Sequence, residues 1–366
     1  MDFTFSSEQE QLRQAVRATL AAEAPREYVR RMIDDPVGVS GELWAKMAEL
    51  GWTATLVPAD AGGLGLGLVD MVVIQEEMGR LPLPGPFLSS AVLATLAATR
   101  LSAADLLAAL ASGSARGTIA LEEPGHGDPV ARVRTTATRA GDGFVLDGVK
   151  PLVLDGHSAD WAIVAALTDE GLGSFLVERP EAEPVPCLDV TRKMSRLVLS
   201  SRPARRLGPP GDQSGIWRRV ADDGAVALCA ELVGCCEQAL HQAVEYAKSR
   251  VQFDRPIASF QVIRHKTVDM LHQLELARVG THYAAWASDN DDPAREHAVA
   301  MCKGFVGEAA NFITAEDIQI HGGMGFTWDV DAHLFFRRAK QDDLLLGAAP
   351  FQRQRLADLV LGPAAS

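Results

Sequence analysis

Hydrophobic periodicity changes twice along this 366-residue chain, and that double change restricts the fold more than any other feature of the sequence. Up to about residue 115, apolar residues recur at helical spacing. Leu12, Val16 and Leu20 follow a Ser6 or Ser7 able to cap a first helix, and further helices are predicted near Gly41–Leu50, Leu68–Arg80, Phe87–Thr99 and Ser102–Ala111. From about Gly117, β-prone runs take over: Thr118–Leu121, Arg132–Thr138, Phe144–Leu154, Trp161–Leu167, Ser174–Val177 and Arg196–Leu199. They are separated by Gly141-Asp142-Gly143, Asp155-Gly156 and Gly171-Leu172-Gly173, as in an antiparallel barrel or sandwich. After the breaker Gly208-Pro209-Pro210-Gly211, helical spacing returns over Gly215–Ser249, Ser259–Ser288, Pro293–His321 and Val330–Leu361. Four such helices can bury one another in an up-and-down bundle. The expectation is an α+β chain of three consecutive units: an N-terminal helical domain (1–115), a middle antiparallel β-barrel or sandwich domain (116–208) and a C-terminal four-helix bundle (209–366).

Composition narrows the partners. Lys plus Arg number 35 and Asp plus Glu 48, a formal charge of −13, which argues against a general nucleic-acid or anionic-membrane binder. Any anionic ligand must be held by a few placed groups. The amino terminus has no basic n-region and no apolar h-region, and the apolar stretch Ala225–Cys236 contains an acid and falls short of the ~20 residues that span a bilayer. A soluble, cytoplasmic protein is expected. Cys187, Cys229, Cys235, Cys236 and Cys302 form no C-x-x-C pair, and three of them crowd one apolar stretch as small buried hydrophobes. The histidines show neither an i, i+4 helical pair nor ligand spacing with cysteine, so no metal site is expected. The cluster Gly62, Gly63, Gly65, Gly67 is not a dinucleotide fingerprint, because a G-x-G-x-x-G begun at Gly63 would need glycine at Leu68.

Two segments carry candidate chemistry. Tyr246-Ala-Lys-Ser-Arg250-Val-Gln252-Phe253-Asp-Arg255-Pro256 and the following Phe260-Gln261 join two long helices, with Ser259 able to cap the second. A guanidinium beside fresh helix-start amides can hold a pyrophosphate; equally, Arg250 can simply complement a helix dipole. Gln319-Ile-His321-Gly322-Gly323 ends the third long helix, with glycines that let backbone approach a ligand or that form an ordinary C-cap turn.

Together with Pro58-Ala-Asp-Ala-Gly62-Gly63-Leu-Gly65 and Glu76-Glu77-Met-Gly79, these segments resemble the acyl-CoA dehydrogenase family over essentially the whole chain. The matched patterns are P-E-x-x-G-G-x-G, E-E-x-G, R-x-x-F…Q and Q-x-x-G-G, in family order. The resemblance implies a flavoprotein using FAD, an acyl-CoA substrate, a tetramer built as a dimer of dimers, and an electron-transfer flavoprotein or similar acceptor. It also implies that Arg250, Gln252, Phe253, Gln261, Gln319, Gly322 and Gly323 reach across a dimer interface to the adenosine diphosphate part of an FAD bound mainly by the neighbouring subunit.

The same comparison shows departures. Arg337-Arg338-Ala339-Lys340 aligns with the family's R-D-A-K and places Leu346, before Gly347, where a catalytic glutamate usually stands. The family's alternative seat for the base, twenty-two residues before Tyr246, is Gly224. Glu231, two turns further along that helix, is the remaining candidate base, its alternative being a buried glutamate paired with Arg or His. The T-E-P-x-x-G-S-D strand reads Glu122-Glu123-Pro124-Gly125-His126-Gly127-Asp128-Pro129, and K-W-I-T reads Lys150-Pro151-Leu152-Val153. These changes resemble the base-lacking subunits of actinobacterial α2β2 enzymes that oxidise CoA thioesters of bulky substrates, notably sterol side chains. Two other readings stay open: a self-sufficient homotetramer with a displaced base, and a non-redox binding or scaffold protein of the same fold.

Overall fold

The structure, a computed structural model, describes residues 5–362. Helix α1 (Ser7–Glu23) begins as its serine predicts: the Ser6 hydroxyl accepts the Gln9 amide at 3.2 Å while the Gln9 side chain accepts the Ser6 N–H at 3.1 Å. An unforeseen nine-residue helix, α2 (Arg26–Asp34), follows Pro25; it buries Tyr28, Val29 and Met32 between its arginines. Then come α3 (Gly41–Glu49), α4 (Leu68–Gly79), a π-helical stretch Phe87–Ala94 running into α5 (Thr95–Arg100), and α6 (Ala104–Ala111).

The middle of the chain forms β1 (Gly117–Ala120), β2 (Thr136–Ala140), β3 (Gly143–Leu154), β4 (Trp161–Thr168), β5 (Gly171–Glu178), β6 (Ala182–Val185) and β7 (Met194–Leu207). Pairings β4–β2–β3–β7–β5 and back to β4 close a barrel, with Leu146, Phe175, Val177 and Leu197 among the side chains packed inside. The barrel is not purely antiparallel as expected: β1 runs parallel to β4, from Gly117 beside Trp161 to Ala120 beside Val164, and β2 meets β4 in parallel at Thr136 and Leu167.

Beyond the barrel lie α7 (Ser214–Ser249), a two-residue-per-strand hairpin β8 (Val251–Gln252) and β9 (Arg255–Pro256), α8 (Gln261–Asp289) and α9 (Arg295–His321). The fourth expected helix is two, α10 (Ala332–Leu344) and α11 (Ala349–Leu361), because Leu346 (φ +55°) and Gly347 (φ +97°) turn the chain between them. Fully buried Lys303 of α9 fixes that break: its ammonium donates to the carbonyls of Asp342 (2.7 Å) and Asp343 (3.0 Å), two of the last in α10. Ser259 does not cap α8. It closes a short 3₁₀ turn, and Phe260 occupies the cap position.

One hydrophobic core runs from the N-terminal helices into the C-terminal bundle. Its tightest crossing is α4 on α7, where two glycines meet the opposite backbone. A Cβ on Gly79 would overlap the Glu231 carbonyl, and one on Gly234 would overlap the carbonyl of Glu76. The Glu76-Glu77-Met-Gly79 motif is thus a packing knot: Glu76 also meets His282 of α8 at 2.9 Å, and Glu77 takes two bonds from Arg17 of α1. All five cysteines are free thiols, four of them buried. Among the described residues, no helix is long and apolar enough to cross a membrane.

Candidate functional site

The segment after α7 is displayed, not packed. Every residue from Arg250 to Pro256 is exposed, and Phe253 is 85% exposed at the tip of the β8–β9 hairpin. Phe253 and Asp254 both have positive φ (+55° and +61°), the backbone of a tight hairpin turn that disfavours side-chain-bearing residues. The turn holds an aromatic ring out in solvent. Phe253 and Phe260 meet edge to face at 6.0 Å, and the Arg255 guanidinium lies 4.2 Å above the Phe260 ring. Arg250, Gln252 and Gln261 make no side-chain hydrogen bond to other described residues.

The end of α9 forms a second open surface. Ala315, Ile318, Gln319, Gly322, Gly323, Phe326 and Phe336 line a depression of about 400 Å³. A Cβ added to Gly322 or Gly323 would meet no atom within 4 Å, so their backbone is bare to an incoming ligand. The structure therefore brings Gln319, Gly322 and Gly323 together. Arg250, Gln252, Phe253 and Gln261 form the neighbouring segment, joined to it through Tyr246, which stacks on His321 with ring centroids 4.3 Å apart.

A third place is where the two aligned base positions meet. A Cβ on Gly224 would overlap a methyl of Leu93 and stand 2.9 Å from Leu346 Cδ1. Residues 224 and 346, found by separate countings along the sequence, thus face one spot, which aliphatic side chains fill. The neighbouring acids point away. Asp222 is bound by Arg295 (2.9 Å) and by two nitrogens of Arg355 (2.5 and 2.9 Å), and Asp223 by Arg100 (2.6 Å), Arg219 and Ser288. From the opposite side, Glu122 reaches across: its Oε1 accepts the Leu346 amide at 3.2 Å and its Oε2 the Arg132 guanidinium at 2.6 Å. Burial pushes the Glu122 carboxyl up despite Arg132. Glu123 turns into the barrel instead, accepting Lys150 Nζ at 2.6 Å together with the amides of Arg134 and Thr135.

Glu231 is not placed as a free base. It is buried, accepts Arg192 Nη2 at 2.8 Å and is bonded by Arg338, which also bonds Asp189 and Thr191; Asp342 faces Arg192 at 3.1 Å. Burial alone would raise its pKa toward that of a base, but the two guanidiniums outweigh burial and hold it below the usual carboxylate value. An acid kept ionised between two arginines is a structural pair, the alternative that the sequence left open.

These observations bear on FAD in two parts. Exposed Arg250, the Phe253 hairpin and the bare Gly322–Gly323 turn suit the anionic, partly aromatic diphosphate half of a dinucleotide approaching from outside. At the aligned base positions the chain's own side chains meet instead. Here the Glu122 carboxylate bonds the Leu346 amide directly.

Two family models match the chain: "Acyl-CoA dehydrogenase, N-terminal domain" over residues 6–114 and "Acyl-CoA dehydrogenase, C-terminal domain" over 217–361. The acyl-CoA dehydrogenase IpdE2 of Mycobacterium tuberculosis is 34% identical over 93% of both chains, and that of Mycolicibacterium smegmatis 30% identical over 96% of this chain and 98% of the relative. Among solved structures, a variant of the steroid acyl-CoA dehydrogenase Tcur3481–Tcur3483 superposes with a TM-score of 0.89 at 32% identity, covering 98% of this chain and 99% of the other. The ChsE4–ChsE5 complex of Mycobacterium tuberculosis gives a TM-score of 0.89 at 29% identity, covering 100% of each. The chain belongs to the acyl-CoA dehydrogenase family, whose members are FAD-dependent oxidoreductases.

Proposed function

We propose that this chain is one subunit of a hetero-oligomeric, FAD-dependent acyl-CoA dehydrogenase that introduces an α,β double bond into the CoA thioester of a bulky, steroid-type substrate. In this reading it completes a partner subunit's FAD site and supplies neither the base nor a flavin of its own. The observation that carries the reading is the contrast between two surfaces. Leu346, Gly224 and Leu93 close the place where a carboxylate would act, and Glu122 bridges it, while the Arg250–Gln261 and Gln319–Gly323 segments stand open. The steroid dehydrogenase and the two-protein complex among its structural relatives support the substrate class and the mixed assembly.

Bound FAD supplies the hydride acceptor for the desaturation. Arg250 would neutralise the diphosphate through charge-assisted hydrogen bonds, Phe253 and Phe326 would cover apolar surface, Gln252, Gln261 and Gln319 would supply amides, and the Gly322–Gly323 backbone would allow close approach. The α-proton goes to a carboxylate of the partner, since Glu122, the acid bonded to Leu346, is held by Arg132 and the acids beside Gly224, Asp222 and Asp223, are held by arginines. An electron-transfer flavoprotein or similar carrier would reoxidise the assembly. The test is co-purification with the partner dehydrogenase subunit and measurement of FAD per tetramer. Two flavins are expected in an α2β2 assembly; four tightly bound flavins in a tetramer of this chain alone would refute the reading.

A further inference from the structure

The two open segments are tied together by one histidine. His321 is the last residue of α9, and its buried ring stacks on Tyr246 with planes 28° apart. Tyr246 accepts the Arg250 amide at 2.8 Å and so closes α7 where the displayed hairpin begins. On the other side of His321, Gly322 takes φ +61° and ψ −138°, backbone that side-chain-bearing residues avoid, and its N–H returns to the Gln319 carbonyl. His321 Nδ1 lies 2.9 Å from the Asp317 carbonyl oxygen and 3.0 Å from the Asp317 carboxylate, and that carboxylate also accepts the side-chain amide of Gln242 on α7. The imidazole therefore holds the Gly322–Gly323 turn and the start of the Arg250 hairpin in one fixed relation.

Charge adds a second effect. The end of α9 carries the partial negative charge of a helix C-terminus, about half an electron, next to the turn where an anionic diphosphate would approach. Asp317 adds a full negative charge behind it. A protonated His321 cancels the carboxylate and opposes the helix end; a neutral one does neither. Burial works against that proton, but Asp317 outweighs it and raises the His321 pKa above the ordinary imidazole value. The Asp317 carboxyl is itself pushed up by burial. The other charged groups beside His321, across the cavity between α2 and α10, are Arg26, Arg30, Arg80 and Asp331. Arg26 and Arg30 are paired with Asp331, and Arg80 with Glu237.

We propose that His321 is a positioning residue for the partner's FAD: it locks the Gly322–Gly323 turn to the Arg250 hairpin and makes dinucleotide affinity depend on its proton. The inference rests on the function proposed above. Its test is the FAD dissociation constant of the complex with the partner subunit, read by flavin fluorescence from pH 6.5 to 9. The proteins compared are wild type, His321→Ala, His321→Phe and Arg250→Ala, with thermal midpoints confirming assembly. Wild-type affinity falls as pH rises. H321A binds about tenfold or more weakly throughout, because the turn and the hairpin lose the ring that ties them together. H321F keeps the stack on Tyr246, stays within about threefold of wild type at pH 9 and shows a flat profile. If H321A does not assemble, H321F alone decides, because a residue that only packs would leave the wild-type pH profile in place. An H321F profile that still falls with pH overturns the inference, as does wild-type affinity in H321A. If R250A weakens FAD and H321A does not, the inference alone fails; if neither does, the functional reading fails with it.

Discussion

Replacing Gly79 by alanine tests the crossing that joins the N-terminal helices to the bundle. In a helix the change ordinarily stabilises, by up to about 1 kcal/mol in the interior and less at a last helical residue such as Gly79, because alanine is the better helix former. Here the added Cβ overlaps the Glu231 carbonyl oxygen, and the obstacle is backbone, which cannot rotate away. Relief requires α4 and α7 to separate. Separation also breaks the reciprocal contact of Gly234 with Glu76 and moves the residue whose carboxylate sits between Arg192 and Arg338. Overpacking of well-filled cores costs about 1–3 kcal/mol and more where backbone must shift, so the net loss should be about 2–4 kcal/mol. That corresponds to roughly 30- to 1000-fold in the folding equilibrium. The measurement is urea denaturation of wild type, G79A and G280A, compared at equal slope. Gly280, on α8, has nothing within 4 Å of an added Cβ, so G280A should stabilise by about 0.5–1 kcal/mol. The same chemical change would then act with opposite signs at two helical glycines. A G79A protein as stable as wild type would refute the reasoning.

Other outcomes follow from the site. Arg338→Met strands Glu231 and Asp189 without their shared guanidinium and should cost about 3–5 kcal/mol in the same denaturation assay. Burial pushes the Asp342 carboxyl up to about 7, so its contribution to stability is present below the unfolded value near pH 4 and lost as pH rises through 7. Asp342→Asn should therefore flatten the wild-type decline across that window, visible in thermal midpoints taken from pH 4.5 to 8. Leu346→Glu places a second carboxyl beside Glu122, whose own pKa is already raised by burial; that variant should lose stability as pH rises from 5 to 8. It should also bind no flavin when purified alone, as absorbance will show. Arg250→Ala should leave the thermal midpoint unchanged, since its side chain bonds no described residue, yet weaken FAD in the assembled complex about tenfold or more.

The order of helices, barrel and helices was readable because periodicity survives in single sequences wherever a long element buries one face. What escaped notice was short or set by distant partners. Helix α2 is nine residues long and dense in arginine, so no run of apolar spacing announced it. Strand β6 is a four-residue edge strand with no buried residue, too short to show an alternation, and only its pairing to β7 defines it. The break between α10 and α11 hid inside continuous apolar residues, Leu344-Leu345-Leu346, because positive φ at a leucine has no signature in composition. Glu231 shows the limit most clearly. Its helix position suggested an acid in an apolar wall, but the two arginines that fix its charge come from residues 192 and 338, more than thirty and one hundred positions away. By contrast, Gly224 and Leu346 were each found by motif counting as a seat for the base, and the geometry puts the two side by side.

Lys303 gives the turn at Leu346 a kinetic meaning. To let α10 run straight into α11, the chain would have to leave a buried ammonium facing no carbonyl, an opening that costs several kcal/mol. The turn should accordingly open rarely, and the Leu346 amide, bonded to Glu122, should exchange with solvent far more slowly than one in a surface loop. Side chains at position 346 can then be exchanged during evolution without disturbing how that position is aimed.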